Sequence, residues 1–155
     1  MLISDIYNSK PITFPQTATI EEAIKQLMKS KINALVIVDH HDKVVGVLSL
    51  QDIAAATIPR QFRKNTRMAA AMYRKGFFTQ MCQELKKQPV SKIMRTDFVS
   101  VEEDDNIMTV TADFLNNDLY VIPVVKKREL IGIVTRSEIK HALLYGMRHL
   151  SPDQE

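Results

Sequence analysis

Apolar residues fall along this chain in two copies of one pattern. Ile6, Ile12, Phe14, Ile20, Ala23, Leu27 and Ile32 return 87 residues later as Ile93, Val99, Val101, Ile107, Val110, Phe114 and Leu119. After a turn one residue shorter the offset is 86, and Val45-Gly46-Val47-Leu48-Ser49 returns as Ile131-Gly132-Ile133-Val134-Thr135. A fixed period of this kind marks a duplicated supersecondary unit. Within each copy the spacing predicts strand, helix, strand, strand, helix. Ile12-Thr13-Phe14 alternates as a short strand does. Thr19 with Glu22 three residues on forms a capping box, and the helix it opens puts Ile20, Ala23, Ile24, Leu27 and Met28 on one predicted buried face. Ala34 to Val38 is a continuous, β-branched run that suits a strand buried on both faces. The polar stretch Asp39 to Lys43 turns the chain into a strand over Val44 to Leu48, and the second copy repeats this with Val121 to Val125, Lys126 to Glu129 and Leu130 to Val134.

A single copy is marginal as a domain, because a chain of about 60 residues buries only roughly 60% of its unfolded surface. The two copies are therefore expected to pack on each other about a pseudo-twofold axis, leaving two related clefts at the seam, where ligands favour binding. The predicted fold class is α+β: tandem β-α-β-β-α repeats over 1–58 and 91–146, a helical insert over 59–90 and a C-terminal tail over 147–155, of which 151–155 is a frayed, polar terminus.

In the insert, Pro59 is predicted to end the second helix of the first copy, since proline removes a helix hydrogen bond and clashes with the preceding turn. Met68, Met72, Phe77, Phe78, Met81, Cys82 and Leu85 then recur near helical spacing, interrupted by Gly76, which predicts two short helices or one kinked helix. That face either covers the chain's own core or meets a partner. The net charge of +3 conceals an asymmetry: residues 58–90 hold eight Lys and Arg against Glu84, so this segment is +7 and the rest −4. Such a stretch either solvates a helix or faces phosphates, nucleic acid or anionic lipid, and no nucleic-acid motif accompanies it.

Several classes are disfavoured by composition. With 45% hydrophobic and 25% charged residues the chain is ordinary for a globular protein, and no apolar run approaches the roughly 20 residues of a membrane span. The opening MLISDIYNSKP has neither a basic leader nor a long apolar stretch, and the one cysteine, Cys82, forms no internal disulfide, so the cytoplasm is the expected compartment. Four scattered histidines suggest no metal site. With no Walker loop, nucleophile elbow or compact Cys, His and carboxylate cluster, catalysis is not expected.

Ser49 and Asp52, and Thr135 and Glu138, stand three apart where a strand hands over to a helix. A helix start offers free amides to a phosphate, and a carboxylate accepts two hydrogen bonds from the cis-diol of a ribose. The same spacing is also that of an N-cap, and the two roles are compatible.

Three features recur in register: S-x-I near the start of each copy, the strands A-L-V-I-V and V-I-P-V-V, and then G-V-L-S-L-Q-D and G-I-V-T-R-S-E. Together these resemble the tandem cystathionine β-synthase (CBS) domain pair, or Bateman module. The resemblance implies a stand-alone regulatory module that binds an adenosine-containing ligand, AMP, ADP or ATP foremost, with S-adenosylmethionine and NAD in the family's range. It also implies a homodimer that signals to an unidentified protein target. The alternative is a ligand-free scaffold whose Met/Phe insert is the dimer or partner face.

By family position the acids Asp52 and Glu138 read ribose hydroxyls, and Ser49 and Thr135 read phosphate. Adenine would lie against Ile12, Thr13, Asn33, Ala34 and Val47 in the first copy, and against Val99, Ser100, Tyr120, Val121 and Ile133 in the second, although the aliphatic ones also fit a plain core. Gln51, Arg136 and Ser137 complete the two motifs. Tyr120 either stacks on a base or is a half-buried strand tyrosine, and Arg136 either meets a phosphate or is a solvated helix start. Glu138 departs from the usual Asp, and Val36 stands where the second copy has the family-like Pro123, so one cleft is expected to bind clearly and the other weakly or not at all.

Overall fold

The computed structural model describes residues 1–72, 74–117 and 119–148. The first repeat holds β1 (Thr13–Pro15), α1 (Ile20–Ser30), β2 (Ala34–Val38), β3 (Val44–Ser49) and α2 (Leu50–Ala55). Thr19 caps α1 as its spacing predicts: its hydroxyl accepts from the Glu22 amide at 3.2 Å, and the Glu22 carboxylate accepts from the Thr19 amide at 3.0 Å. Ile20, Ala23 and Leu27 are buried and Ile24 packs beside them, but Met28 is 75% exposed. At about 100° per residue Met28 stands roughly 80° round the helix from Ile20, on the far side from Ala23 and Leu27. The buried stripe is therefore narrower than expected.

β2 is buried at every position and is the middle strand of its sheet. It pairs in parallel with β1, Thr13 opposite Val36, and antiparallel with β3, Val36 opposite Val47. The second repeat holds α5 (Ile107–Asn117), β4 (Val121–Lys126), β5 (Glu129–Thr135) and α6 (Arg136–Arg148). Its leading strand is reduced to a parallel bridge between Val101 and Val124. The architecture is α+β, two β-α-β-β-α repeats with helices between them.

Between the repeats lie α3 (Thr66–Ala71) and α4 (Phe77–Leu85), two short helices parted at Gly76, whose φ of +83° suits glycine. Pro59 does not end α2. That helix stops at Ala55, its terminal amides folding back through Ala56 and Thr57, and Pro59 instead precedes a 3-10 turn over Arg60–Phe62. At the other end, Met147 and Arg148 belong to α6 rather than to a tail, and residues 149–155, including His149, lie outside the described residues.

The two repeats exchange their leading segments. Ile3, Ile6 and Tyr7 pack into the second core with Val101, Val110, Ile122, Val124 and Val134. Val90, Ile93 and Met94 pack into the first, against Ile20, Ala23, Leu35, Ile37 and Leu48. The crossing is tied by reciprocal backbone hydrogen bonds, Asn8 to Ile133 at 2.9 and 3.0 Å and Arg95 to Val47 at 2.8 and 3.0 Å. The repeated glycine makes room for it. A Cβ on Gly46 would stand 2.9 Å from the Arg95 carbonyl oxygen, and one on Gly132 would stand 2.6 Å from that of Asn8 and collide with the Tyr7 ring. Ala34, Val36, Val47, Val121 and Ile133 then form a third apolar cluster where the two sheets meet. No helix among the described residues is long and apolar enough to cross a membrane.

Candidate functional site

The crossing determines which residues share a cleft. Val47, Ser49 and Asp52 of the first repeat face Phe98, Val99, Leu119, Tyr120 and Val121 of the second, with Arg95 and Asp97 between them. Six residues singled out by the sequence pattern, Val47, Ser49, Asp52, Val99, Tyr120 and Val121, are thus gathered in one cleft, although they come from different repeats.

The β3-to-α2 junction holds the polar end of this cleft. Ser49, 3% exposed, is the last residue of β3, and its backbone turns out of the strand so that its hydroxyl accepts from the Asp52 amide at 3.2 Å. Asp52 Oδ2 accepts from both the Ser49 amide and the Ser49 hydroxyl, each at 2.8 Å. One carboxylate oxygen is therefore committed to the cap. The other, Oδ1, accepts from Nε of Arg95 at 3.0 Å. A carboxylate has acceptor sites on both oxygens, so capping and cleft-facing chemistry coexist on the same side chain.

A second polar link closes the same seam. Gln51 of α2 donates to the Tyr120 hydroxyl at 2.6 Å, and the Arg136 guanidinium lies over the Tyr120 ring, 4.9 Å from its centroid. Arg136 thus spends its charge on an aromatic face. The cleft is small, about 140 Å³.

The corresponding junction of the second repeat has an acid one methylene longer, and its hydroxyl accepts from the amide two residues on rather than three. Glu138, 9% exposed, accepts from the Thr135 amide at 2.7 Å and from its hydroxyl at 2.5 Å, and the Ser137 amide donates to Thr135 Oγ1 at 3.2 Å. Where Arg95 stands beside Asp52, the position 87 residues earlier is Asn8, which makes the equivalent backbone pair with Ile133. Among the described residues no cation pairs with Glu138. Ala34 and Ile133 lie in the seam cluster, Asn33 uses its carbonyl to receive the Leu50 amide at 2.8 Å, and Ile12, Ser100 and the strand residue Thr13 are exposed.

Among the cleft residues that the sequence pattern did not single out as site residues are Arg95, Asp97 and Phe98. They precede Val99 in a leading segment with no helix or strand period, and only the crossing carries that segment to the first repeat's helix. The one signal available was an arginine two residues before an aspartate at the head of a repeat.

Comparison with known proteins identifies the family and the fold. The CBS domain family model matches residues 3–58 and 90–145. The chain is 30% identical over 146 residues to L-aspartate semialdehyde sulfurtransferase of Methanocaldococcus jannaschii, covering 94% of this chain but only 23% of that protein. Among solved structures, the CBS domain pair of protein MJ0100, in complex with 5'-methylthioadenosine and S-adenosyl-L-methionine, is 29% identical with a TM-score of 0.69, covering 96% of this chain and 98% of that one. CBSX2, solved in complex with AMP, shares the fold at a TM-score of 0.71 and 20% identity, covering 95% and 98%.

Proposed function

The chain belongs to the CBS domain family, and from that premise we propose that it is a regulatory module taking an adenosine-containing ligand, AMP, ADP or ATP, between its repeats and signalling to a partner protein. One observation carries the reading: Asp52 keeps one oxygen for its cap and offers the other to the cleft, where a guanidinium from the crossing segment already holds it. A ribose cis-diol donates to the oxygen that Arg95 now occupies. Arg95, once released, is within the same cleft as any phosphate attached to that ribose, and the apolar wall of Val47, Val99 and Val121 suits the flat base.

The exchange costs little. Arg95 is 43% exposed and the Asp52 side chain 12%, so the pair falls near the surface range of about 0–1 kcal/mol. Binding also requires it, because a cleft of about 140 Å³ lies below the roughly 300–1,000 Å³ usual for a bound small molecule. Ligand entry and Arg95 displacement are thus one event. The segment that carries Arg95 is bonded to β3 on one side and leads into the second repeat on the other, which couples occupancy to the seam.

The first cleft is the primary site in this proposal, since Asn8 replaces the exchangeable cation in the second. No catalytic role is part of it, for the aligned region is under a quarter of the sulfurtransferase. The ligands of the MJ0100 pair support the adenosyl class. A thermal-shift scan over AMP, ADP, ATP, S-adenosylmethionine and NAD tests the reading: ligand at one hundred times its dissociation constant adds about 2.7 kcal/mol, roughly 5–10 °C for a chain of this size. A flat response to all five refutes it. Asp52→Ala should erase the ligand-induced increment, and Glu138→Ala should leave it.

A further inference from the structure

A second cavity lies under the insert, lined by Leu50 and Ile53 of α2 where the adenosine cleft is lined by Asp52 of the same helix. Helix α4 spans the first repeat's helices without settling on them. Ile24 of α1, Leu50, Ile53 and Ala54 of α2, and Phe78 and Cys82 of α4 line a groove of about 430 Å³, three times the volume of the cleft at Asp52. Only Leu85 of α4 joins the core, no residue of α4 is buried, and Phe78 is 64% exposed. Ligand pockets run to roughly 300–1,000 Å³ with mostly apolar lining, and this groove, with apolar walls on three helices, has that build.

Its chemistry is one-sided. One end is pinned by backbone hydrogen bonds, Glu21 amide to Lys86 carbonyl at 3.2 Å and Ile20 amide to Gln88 carbonyl at 2.9 Å. At that pinned end stand Glu21, whose carboxylate is taken by Lys25 at 3.4 Å, and the half-buried Lys86, which makes no ion pair among the described residues. Around it the insert carries a charge of +7 over residues 58–90. An apolar slot with an unshared ammonium at one end fits one kind of occupant.

We infer that the groove between α1, α2 and α4 binds a single-chain anionic amphiphile of the fatty-acid class, its tail along Ile24, Ile53 and Phe78 and its carboxylate on Lys86. The site is independent of the adenosine cleft, and it gives the insert's apolar face an intramolecular purpose.

Titration with cis-parinaric acid below its micellar concentration tests it. The expected result is a saturable, one-to-one rise in fluorescence. Ala54→Trp, which fills the groove from an exposed position, should weaken binding at least about tenfold, a loss equivalent to about 1.4 kcal/mol. Lys86→Gln should weaken the acid by about tenfold and leave its methyl ester unchanged, as expected when one charge-assisted contact is removed. In the unaltered protein the bound acid should slow alkylation of Cys82 by N-ethylmaleimide several-fold. No saturable rise, binding indifferent to Ala54→Trp, an unchanged alkylation rate, or a response to anionic vesicles alone would each overturn the inference.

Discussion

Replacing Arg95 by Ala separates two ligands that differ only by a phosphate. In the unliganded protein the change removes, among Arg95's contacts, the pair with Asp52, one partner largely buried and the other half-exposed, 3.0 Å apart, and that pair accounts for about 1 kcal/mol at most, or roughly 2–4 °C in Tm. For adenosine, Asp52 Oδ1 no longer has to be vacated, and affinity should rise by up to the same 1 kcal/mol, about fivefold. For AMP the variant also loses a charge-assisted contact of about 1.5–3 kcal/mol. The net loss is then about 0.5–3 kcal/mol, roughly twofold to 150-fold weaker binding. Isothermal titration of both ligands on both proteins measures this. The signature is a change of opposite sign, AMP weaker and adenosine equal or tighter. If both ligands weakened by the same factor, Arg95 would be a structural tie of the crossing segment and the exchange proposed at Asp52 would be wrong.

Three further outcomes follow from the same geometry. Gly132→Ala should cost about 2–3 kcal/mol, the upper part of the overpacking range, because its Cβ would meet the Tyr7 ring and the Asn8 carbonyl oxygen at 2.6 Å; Gly46→Ala should cost less, since its nearest neighbour is the flexible Met94 sulfur at 2.7 Å. Equal and negligible losses in chemical denaturation would show that the leading segments do not lie over these strands. Ser49→Ala and Thr135→Ala should each remove about 1 kcal/mol of capping, and a change in urea midpoint for only one of them would mean that the two junctions are not equivalent. Finally, the Tyr7 hydroxyl donates to Glu103 at 2.9 Å. That bond, burial and the carboxylate's charge together hold its pKa above the usual 10.0. A raised folded pKa stabilises fully below pH 10 and is lost as pH climbs through the folded value, so Tyr7→Phe should lose less stability than the parent protein between pH 10 and stronger alkali. Urea midpoints that fall in parallel for both proteins would exclude the contact.

The elements themselves were legible because their signals are local. A capping box at Thr19, a five-residue β-branched run at Ala34–Val38 and a lone Gly76 amid a Met/Phe stripe each act within a few residues, through one side chain or one backbone angle. The departures from these signals are local as well: Met28 lies at the edge of a stripe that the helix narrows, and α2 ends before Pro59 because its last amides bend back on their own turn. The candidate site was legible only by halves. Ser49 and Asp52 could be read as a junction, and Val99, Tyr120 and Val121 as an adenine wall of the second copy through the resemblance, but nothing in either pattern joined them.

By itself, then, the sequence determined the duplicated βαββα units and the hydroxyl-plus-acid junctions, since periodicity and capping depend on neighbours within a turn or two of chain. Which halves meet, and that Arg95 rather than Asn8 reaches a carboxylate, was decided by tertiary structure. The leading segments cross over Gly46 and Gly132 and complete each other's cores, and contacts between residues as far apart as Val47 and Arg95 or Asn8 and Ile133 leave no period along the chain.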